Sequence, residues 1–317
     1  MTDTQNEVFK SPVNKIRLFE HGAPGSQNLK LTRKYYTEDM PDGRVKHIVQ
    51  NITDPDIVPY IPDGIGNSTD RQRIPAVLII PGGAFRRLVY NFEGEDVAKW
   101  LNSMGIAAFV LECRLPSDEH DNAEDVPLID AMRAMRVIRG RAQEFGIDEA
   151  KIGVMGFSAG GFMAALLSTA YESDVYAYYK YKDEYDKLSA RPDFAVCSYP
   201  VISIDDCIEA GKRYMSEEQV LERISDSKAK ILHKYNPDKL VRPDMPPVFI
   251  CETDDDRTTL SENSVGFYMA ARKAGVSAEL HIFRTGGHGY GCGDDFAQTG
   301  EWKVLFTKWI KSIGIIS

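Results

Sequence analysis

From residue 74 onward the chain alternates two kinds of segment, and that alternation limits its fold more than any other feature. Short unbroken apolar runs stand at 76–80 (AVLII) and 107–111 (AAFVL). A strand wetted on one face alternates polar and apolar residues, so a continuous apolar run of this length fits a strand covered on both faces. Between such runs, apolar residues recur at helical spacing. Val97, Leu101 and Met104 make one stripe, and Leu128, Met132, Met135, Ile138 and Phe145 make a second, read as one long helix. Its arginines, Arg133, Arg136, Arg139 and Arg141, are expected on a solvated face. Further strands are expected at 151–157, 194–199, 248–252 and 278–283, with helices over 159–169 and 302–313. Repeated strand–helix units predict an α/β protein, a mostly parallel central sheet with helices on both faces.

Residues 1–75 have another texture. Apolar or β-branched stretches at 13–19, 47–53 and 57–61 are punctuated by Pro, Gly and Asp, which predicts a β-rich extension. Residues 62–72 read as a loop. Two later stretches break the rhythm. Residues 171–190 open with the Tyr- and Lys-rich run YESDVYAYYKYKDEYDK, and 205–245 read as polar helices. Both are expected to follow strand ends on the side where α/β proteins bind ligands, and so to be lid material, with peripheral insertion as an equal alternative. The 317 residues are expected to form a single domain.

Charge and cysteine content exclude some functions. Lys and Arg number 38 against 47 Asp and Glu, a formal charge of −9, which argues against nucleic acid and anionic membrane as partners. No stretch approaches the ~20 apolar residues of a membrane span. The opening MTDTQNEVFKSPVNK has no apolar core and does not read as a signal peptide. The five cysteines (Cys113, Cys197, Cys207, Cys251, Cys292) are odd in number and contain no CxxC pair, which supports neither a zinc site nor a disulfide framework. A reducing, cytoplasmic location is the expectation. The sequons at Asn51 and Asn67 are read as chance matches, and homo-oligomerisation is left open.

Four motifs stand at the ends of expected strands. Gly156-Phe157-Ser158-Ala159-Gly160 is G-x-S-x-G between an apolar strand and a small-residue helix. A serine nucleophile needs such a sharp turn, where neighbouring side chains would collide with backbone. Pro81-Gly82-Gly83-Ala84-Phe85 follows the run 76–80, and a Gly-Gly turn there lets backbone N–H groups face a developing oxyanion. Gly286-Gly287-His288-Gly289-Tyr290 follows 278–283 and puts a histidine on a tightly turned loop. Thr253-Asp254-Asp255-Asp256-Arg257 follows 248–252 and supplies an acid between serine and histidine in the chain. Each alone has a bland reading as a turn. Together they stand in the order Ser, Asp, His of α/β-hydrolases.

With these residues in view, the chain resembles the α/β-hydrolase esterases related to bacterial acetyl-xylan esterases and feruloyl-esterase-like enzymes, often labelled xylanase-like or dienelactone-hydrolase-like. The likeness runs through His21-Gly-Ala-Pro-Gly-Ser26, residues 57–62, PGGAF, Glu93-Gly94, Arg114-Leu115-Pro116, residues 127–136, GVMGFSAGG, 199–202, Glu262-Asn263-Ser264 and 280–290. It implies the α/β-hydrolase fold, with Ser158 as nucleophile and His288 as base. The acid implied is Asp256, six residues before the Glu-Asn-Ser run, with Asp255 as the alternative. The backbone N–H groups of Ala159 and of Gly83 or Ala84 are implied as oxyanion donors. Two departures stand out: Ala84 replaces a third glycine, and Thr259-Leu260 replaces a usual Val-Pro. The resemblance implies hydrolysis of short-chain esters, acetyl above all, on a small molecule or oligosaccharide, with no metal or organic cofactor. The alternatives are a general short-chain carboxylesterase, a peptidase of the same fold and a non-catalytic binding module.

Overall fold

The computed structural model describes residues 9–65, 73–213, 215–216, 218–220, 227–293 and 298–317. The second half of the 62–72 loop, the Asn67 sequon, the first eight residues and part of the 205–245 stretch lie outside the described residues. The strands are β1 Ile16–Arg17, β2 Lys34–Asp39, β3 Val45–Gln50, β4 Asp56–Tyr60, β5 Ile74–Ile80, β6 Leu88–Val89, β7 Ala107–Glu112, β8 Ile147–Phe157, β9 Ala195–Ser198, β10 Val248–Thr253 and β11 Ala278–Phe283. An eight-stranded sheet has the order β1-β4-β7-β5-β8-β9-β10-β11. From β7 to β11 every neighbouring pair is parallel, while β4 and β1 join antiparallel at one edge. The apolar runs lie at the middle of this sheet, and β7, β9 and β10 are buried at every position. Helices flank the sheet, which completes the expected α/β architecture.

A second, antiparallel sheet has the order β2-β3-β6. Neither β2 (KYYTED) nor the two-residue β6 was expected from the sequence. This sheet belongs to the N-terminal extension, yet β6 lies directly after the PGGAF turn. Ile48 pairs with Val89 and Val49 with Leu88. Gln50 donates to the Arg86 carbonyl at 3.1 Å, and the Val89 N–H returns to the Gly82 carbonyl at 2.9 Å. The extension therefore clamps the turn from outside.

The long helix expected over 128–145 is two helices, Val126–Gly140 and Ala142–Phe145, interrupted at Arg141. Gly140 weakens the helix at that point, and a Cβ there would stand 2.4 Å from the Tyr185 ring. The solvated arginine face is corrected as well. Arg133 is buried, donates to the Leu18 carbonyl at 2.8 Å and pairs with Asp183 and Asp186. Arg136 donates to the Leu188 carbonyl at 2.9 Å, and Arg139 to the Glu149 and Arg191 carbonyls. A guanidinium carries five donors, and these three tie down an irregular segment that has no sheet ladder, Arg133 through its Asp183 and Asp186 carboxylates and Arg136 and Arg139 through carbonyls at or just past its end.

That segment is the Tyr-rich stretch. It starts at the far end of the helix Ala159–Ala170, not at a strand end. Twelve residues of helix, about 18 Å, separate its start from Ser158. The later stretch does follow a strand: helices Ile204–Lys212 and Ser227–Lys234 come after β9. Among the described residues, no helix is long and apolar enough to cross a membrane.

The run His21–Ser26 is held to the core by one buried ion pair. Arg114 and Asp130 have no exposed side-chain surface and meet at 2.6 Å. The same guanidinium donates to the Pro24 carbonyl and, at 2.8 Å, to Ser26 Oγ. Removing one member of such a pair strands the other charge without water, at a cost of about 3–5 kcal/mol. Asp130→Ala is therefore expected to lower the urea midpoint by that equivalent. A change below about 1 kcal/mol, the range of exposed pairs, would show that water reaches Arg114.

Candidate active site

Strands β5, β8, β10 and β11 deliver the four motifs to one edge of the sheet. At the end of β8 the chain turns sharply at Ser158 (φ 54°, ψ −118°) into the helix Ala159–Ala170. A Cβ at Gly156 would stand 2.0 Å from the Gly160 carbonyl oxygen, and one at Gly160 would stand 1.9 Å from that of Ile80. Both positions accept only glycine. Ser158 itself pays the strain of a left-handed φ, which an L-residue adopts only when the surroundings impose it. Its own N–H donates to the Ser198 carbonyl at 3.0 Å, tying the elbow to β9.

The geometry brings three of the expected residues into a line. Ser158 Oγ lies 2.9 Å from His288 Nε2, and His288 Nδ1 lies 2.6 Å from Asp256 Oδ2. Asp256 is 3% exposed. Its Oδ1 accepts the Thr258 and Thr259 N–H groups at 2.6 and 3.0 Å, and the Thr259 hydroxyl donates to Oδ2 at 2.9 Å. Burial alone would raise the Asp256 pKa. The hydrogen bond and charge of His288, with the two backbone donors, outweigh it and hold the carboxyl below its usual value. An ionised Asp256 keeps the imidazole proton on Nδ1 and frees Nε2 to accept the Ser158 hydroxyl.

Asp255 points elsewhere. It is exposed, and its Oδ1 accepts the N–H groups of Gly286 and Gly287 at 2.9 and 2.8 Å. It shapes the histidine loop without touching the ring. Thr259, a departure from the related pattern, adds two donors to Asp256.

The PGGAF turn lies against the elbow. A Cβ at Gly82 would be 2.5 Å from the Phe157 carbonyl oxygen and 3.0 Å from Ser158 Cβ, and one at Gly83 (φ 138°) would be 2.1 Å from that of Arg87. Ala84 and Phe85 both hold left-handed φ, 58° and 61°. Ala84 thus keeps a glycine-like conformation despite its Cβ, a cost of about 1–2 kcal/mol. Ala159 opens its helix, where the first N–H groups have no intrahelical partner and the dipole favours negative charge.

Two residues at the site carried no role in the sequence reading. Glu93 is buried and accepts the Gly82 N–H at 2.8 Å and the Tyr199 hydroxyl at 2.9 Å. Tyr199, also buried, packs edge-on against His288 with centroids 5.0 Å apart. Both fall in runs that carry the resemblance, which was the one available signal. Beside Ala159 and Gly160 lies a narrow apolar pocket lined by Phe85, Leu88, Leu115, Pro127 and Met163, among others. Among the described residues, no group of three or more His, Cys, Asp or Glu is placed to hold a metal ion.

A mostly parallel sheet, with an elbow serine after one inner strand and a histidine after the edge strand, is the α/β-hydrolase architecture. The chain belongs to the BD-FAE family, whose sequence profile matches residues 65–270. It is similar to the acetylxylan esterase of Xylanibacter ruminicola, 31% identical over 240 residues, covering 75% of this chain and 45% of that protein. It is also similar to endo-1,4-beta-xylanase B of Butyrivibrio fibrisolvens, 31% identical over 230 residues, covering 71% and 34%. The chain thus spans less than half the length of these curated relatives. Among solved structures, the acetyl ester-xyloside bifunctional hydrolase from Caldicellulosiruptor lactoaceticus superposes with a TM-score of 0.71 at 34% identity, covering 96% of this chain and 97% of that one. A thermophilic esterase from Thermogutta terrifontis shares the fold at 24% identity and a TM-score of 0.64, covering 93% and 96%.

The depressed Asp256 pKa has a stability consequence of definite sign. The folded value lies below the unfolded one near ~3.9, so the contribution is fully present above that value and is lost as pH falls through the folded pKa. The stability gap between wild type and Asp256→Asn is expected to hold between about pH 7 and 5 and to shrink below about pH 4. Urea unfolding at stepped pH measures it, and a gap that stays level at the acid end would contradict the assignment.

Proposed function

We propose that this chain is a serine esterase that hydrolyses short-chain carboxylic esters, acetyl above all, carried on sugars or oligosaccharides. The observation that carries the reading is the Ser158–His288–Asp256 line, with 2.9 and 2.6 Å contacts, set at a strained elbow against the Gly82–Gly83 turn. Ser158 Oγ attacks the ester carbonyl as His288 Nε2 takes its proton. Asp256 favours the imidazolium that results. The N–H groups of Ala159 and of Gly83 or Ala84 hold the oxyanion. His288 then protonates the departing alcohol, and water repeats the sequence to release the acid and free Ser158.

The acyl length is supported by the pocket beside Ala159. Its apolar lining, Phe85, Leu88, Leu115 and Met163 among others, suits the alkyl end of a short acyl group. The sugar side rests on the relatives' xylan-related activities. A general short-chain carboxylesterase is the second reading, favoured by the apolar lining of that pocket, which selects an acyl group and says nothing of the alcohol.

Initial rates on p-nitrophenyl acetate, butyrate and octanoate, beside acetate release from acetylated xylo-oligosaccharide, test both readings. Wild type is expected to cleave acetate and the oligosaccharide, with octanoate untouched. Ser158→Ala is expected to lose more than about 10⁴-fold. Equal rates for wild type and Ser158→Ala would sink the esterase reading, and acetate cleavage without oligosaccharide release would favour the second. Met163→Ala, which deepens the pocket, is expected to raise kcat/KM on butyrate relative to acetate by ~10-fold, the worth of one or two methylenes. An unchanged ratio would place the acyl group elsewhere.

A further inference from the structure

Glu93 stands in the π-helical turn Asn91–Glu95, between β6 and the helix Asp96–Ser103. Such turns interrupt regular helix at a cost and recur at functional positions. Its carboxylate bonds in two directions. Oε2 accepts the N–H of Gly82, one residue before the expected oxyanion donors, at 2.8 Å. Oε1 accepts the Tyr199 hydroxyl at 2.9 Å, and the same hydroxyl accepts the Gly291 N–H at 3.1 Å from the loop that carries His288. The Tyr199 ring is wedged between His288 and Tyr290, with centroids 5.0 and 4.5 Å away. Tyr199 holds φ 37°, a strained value for an aromatic residue, to reach this place. Gly82 is part of the device, because a Cβ there would stand 2.7 Å from Glu93 Oε2.

A chain of hydrogen bonds therefore joins the oxyanion turn to the histidine loop through one buried carboxyl. The two ends act on the same tetrahedral intermediate, so their separation must be held within a fraction of an ångström. Resting on the serine-esterase reading, we propose that Glu93 is a positioning residue that sets the oxyanion turn against His288, with Tyr199 as the strut between them. Glu93 also faces His288 electrostatically, so it favours the imidazolium formed as Ser158 attacks. The charged or titratable groups around Glu93 are His288, Tyr199 and, farther off, Lys46. Those around His288 are Asp256, Glu93 and Tyr199. Burial raises the Glu93 pKa, while His288, Tyr199 and the Gly82 N–H pull against that rise.

The test uses Glu93→Gln, Tyr199→Phe and Ser158→Ala, with kcat and KM on p-nitrophenyl acetate normalised to active serine titrated by an organophosphonate. Glu93→Gln keeps the shape and, through its amide oxygen, one of the two accepted hydrogen bonds, but its NH2 only donates, and it removes the charge. It is expected to lower kcat about 10-fold, to leave KM within about 3-fold, and to move the acid limb of the kcat/KM profile to lower pH, because the imidazolium loses a nearby anion. Tyr199→Phe breaks the strut and is expected to cost kcat ~10²-fold, the scale of a misplaced oxyanion donor, again with KM little changed. Thermal unfolding of each variant separates position from stability. If either variant loses only Tm, with kcat per titrated serine and the acid limb unmoved, the carboxyl is a packing element and the proposal is overturned. An active Ser158→Ala would overturn the underlying esterase reading instead.

Discussion

The site depends on three backbone segments approaching more closely than any side chain allows. The end of β5, the end of β8 and the first turn of the helix Ala159–Ala170 meet where a Cβ on Gly160 would be 1.9 Å from the Ile80 carbonyl oxygen and one on Gly82 2.5 Å from that of Phe157. β5 and β8 are hydrogen-bonded neighbours from Ala76 to Ile80 and from Ile152 to Gly156. Their parallel register delivers both ends at the same height. The elbow serine and the Gly82–Gly83 turn are thus two consequences of one packing fact. Anything that separated those strands would displace Ser158 and the Gly82–Gly83 turn together.

Charge around His288 is set by where each acid is buried and what bonds it. Asp256 is buried but gathers an imidazole, two backbone N–H groups and a hydroxyl, and its pKa falls. Glu93 is buried with two donors, and its pKa rises despite them. Glu252 lies at the end of β10, and burial followed by the charge of Asp256 pushes its pKa well up. Neighbouring carboxyls whose surroundings push their pKa values apart divide the work between them. Asp256, in line with the ring, holds its charge most firmly of the three.

Much of the central sheet was legible because strands buried on both faces leave unbroken apolar runs, as at β5, β7 and β10. The antiparallel sheet was not, because β2 (KYYTED) is half-wetted and charged and β6 has only two residues. The turns that carry the serine, the histidine and the paired glycines were legible because their backbone needs are local. Asp255 and Asp256 could not be told apart on residue type alone: adjacent residues of one turn point to different partners, one to the glycine N–H groups and one to the ring. Glu93 was opaque for a similar reason. A buried acid looks like a surface acid until its partners, eleven and 106 positions away, are known. The arginines Arg133, Arg136 and Arg139 failed in the same manner, since partners of each, carboxylate or carbonyl, belong to a segment about fifty positions on.

The N-terminal extension takes on meaning from these constraints. A turn with consecutive left-handed residues, Ala84 and Phe85, stores strain that its surroundings must hold. β6 ends that turn and is captured by β3, with Gln50 on the Arg86 carbonyl and Glu38 paired with Arg87. From the other side Glu93 holds Gly82. The strained stretch is therefore gripped at both ends by groups outside the Ser158–His288–Asp256 line. The same logic places Arg114 and Asp130 beneath the segment 21–26, and Asp255 beneath the histidine loop. In each case a polar group reaches backbone that regular structure leaves unpaired. Much of the buried charge near this site is explained as a means of fixing irregular chain, which is what a catalytic turn must be.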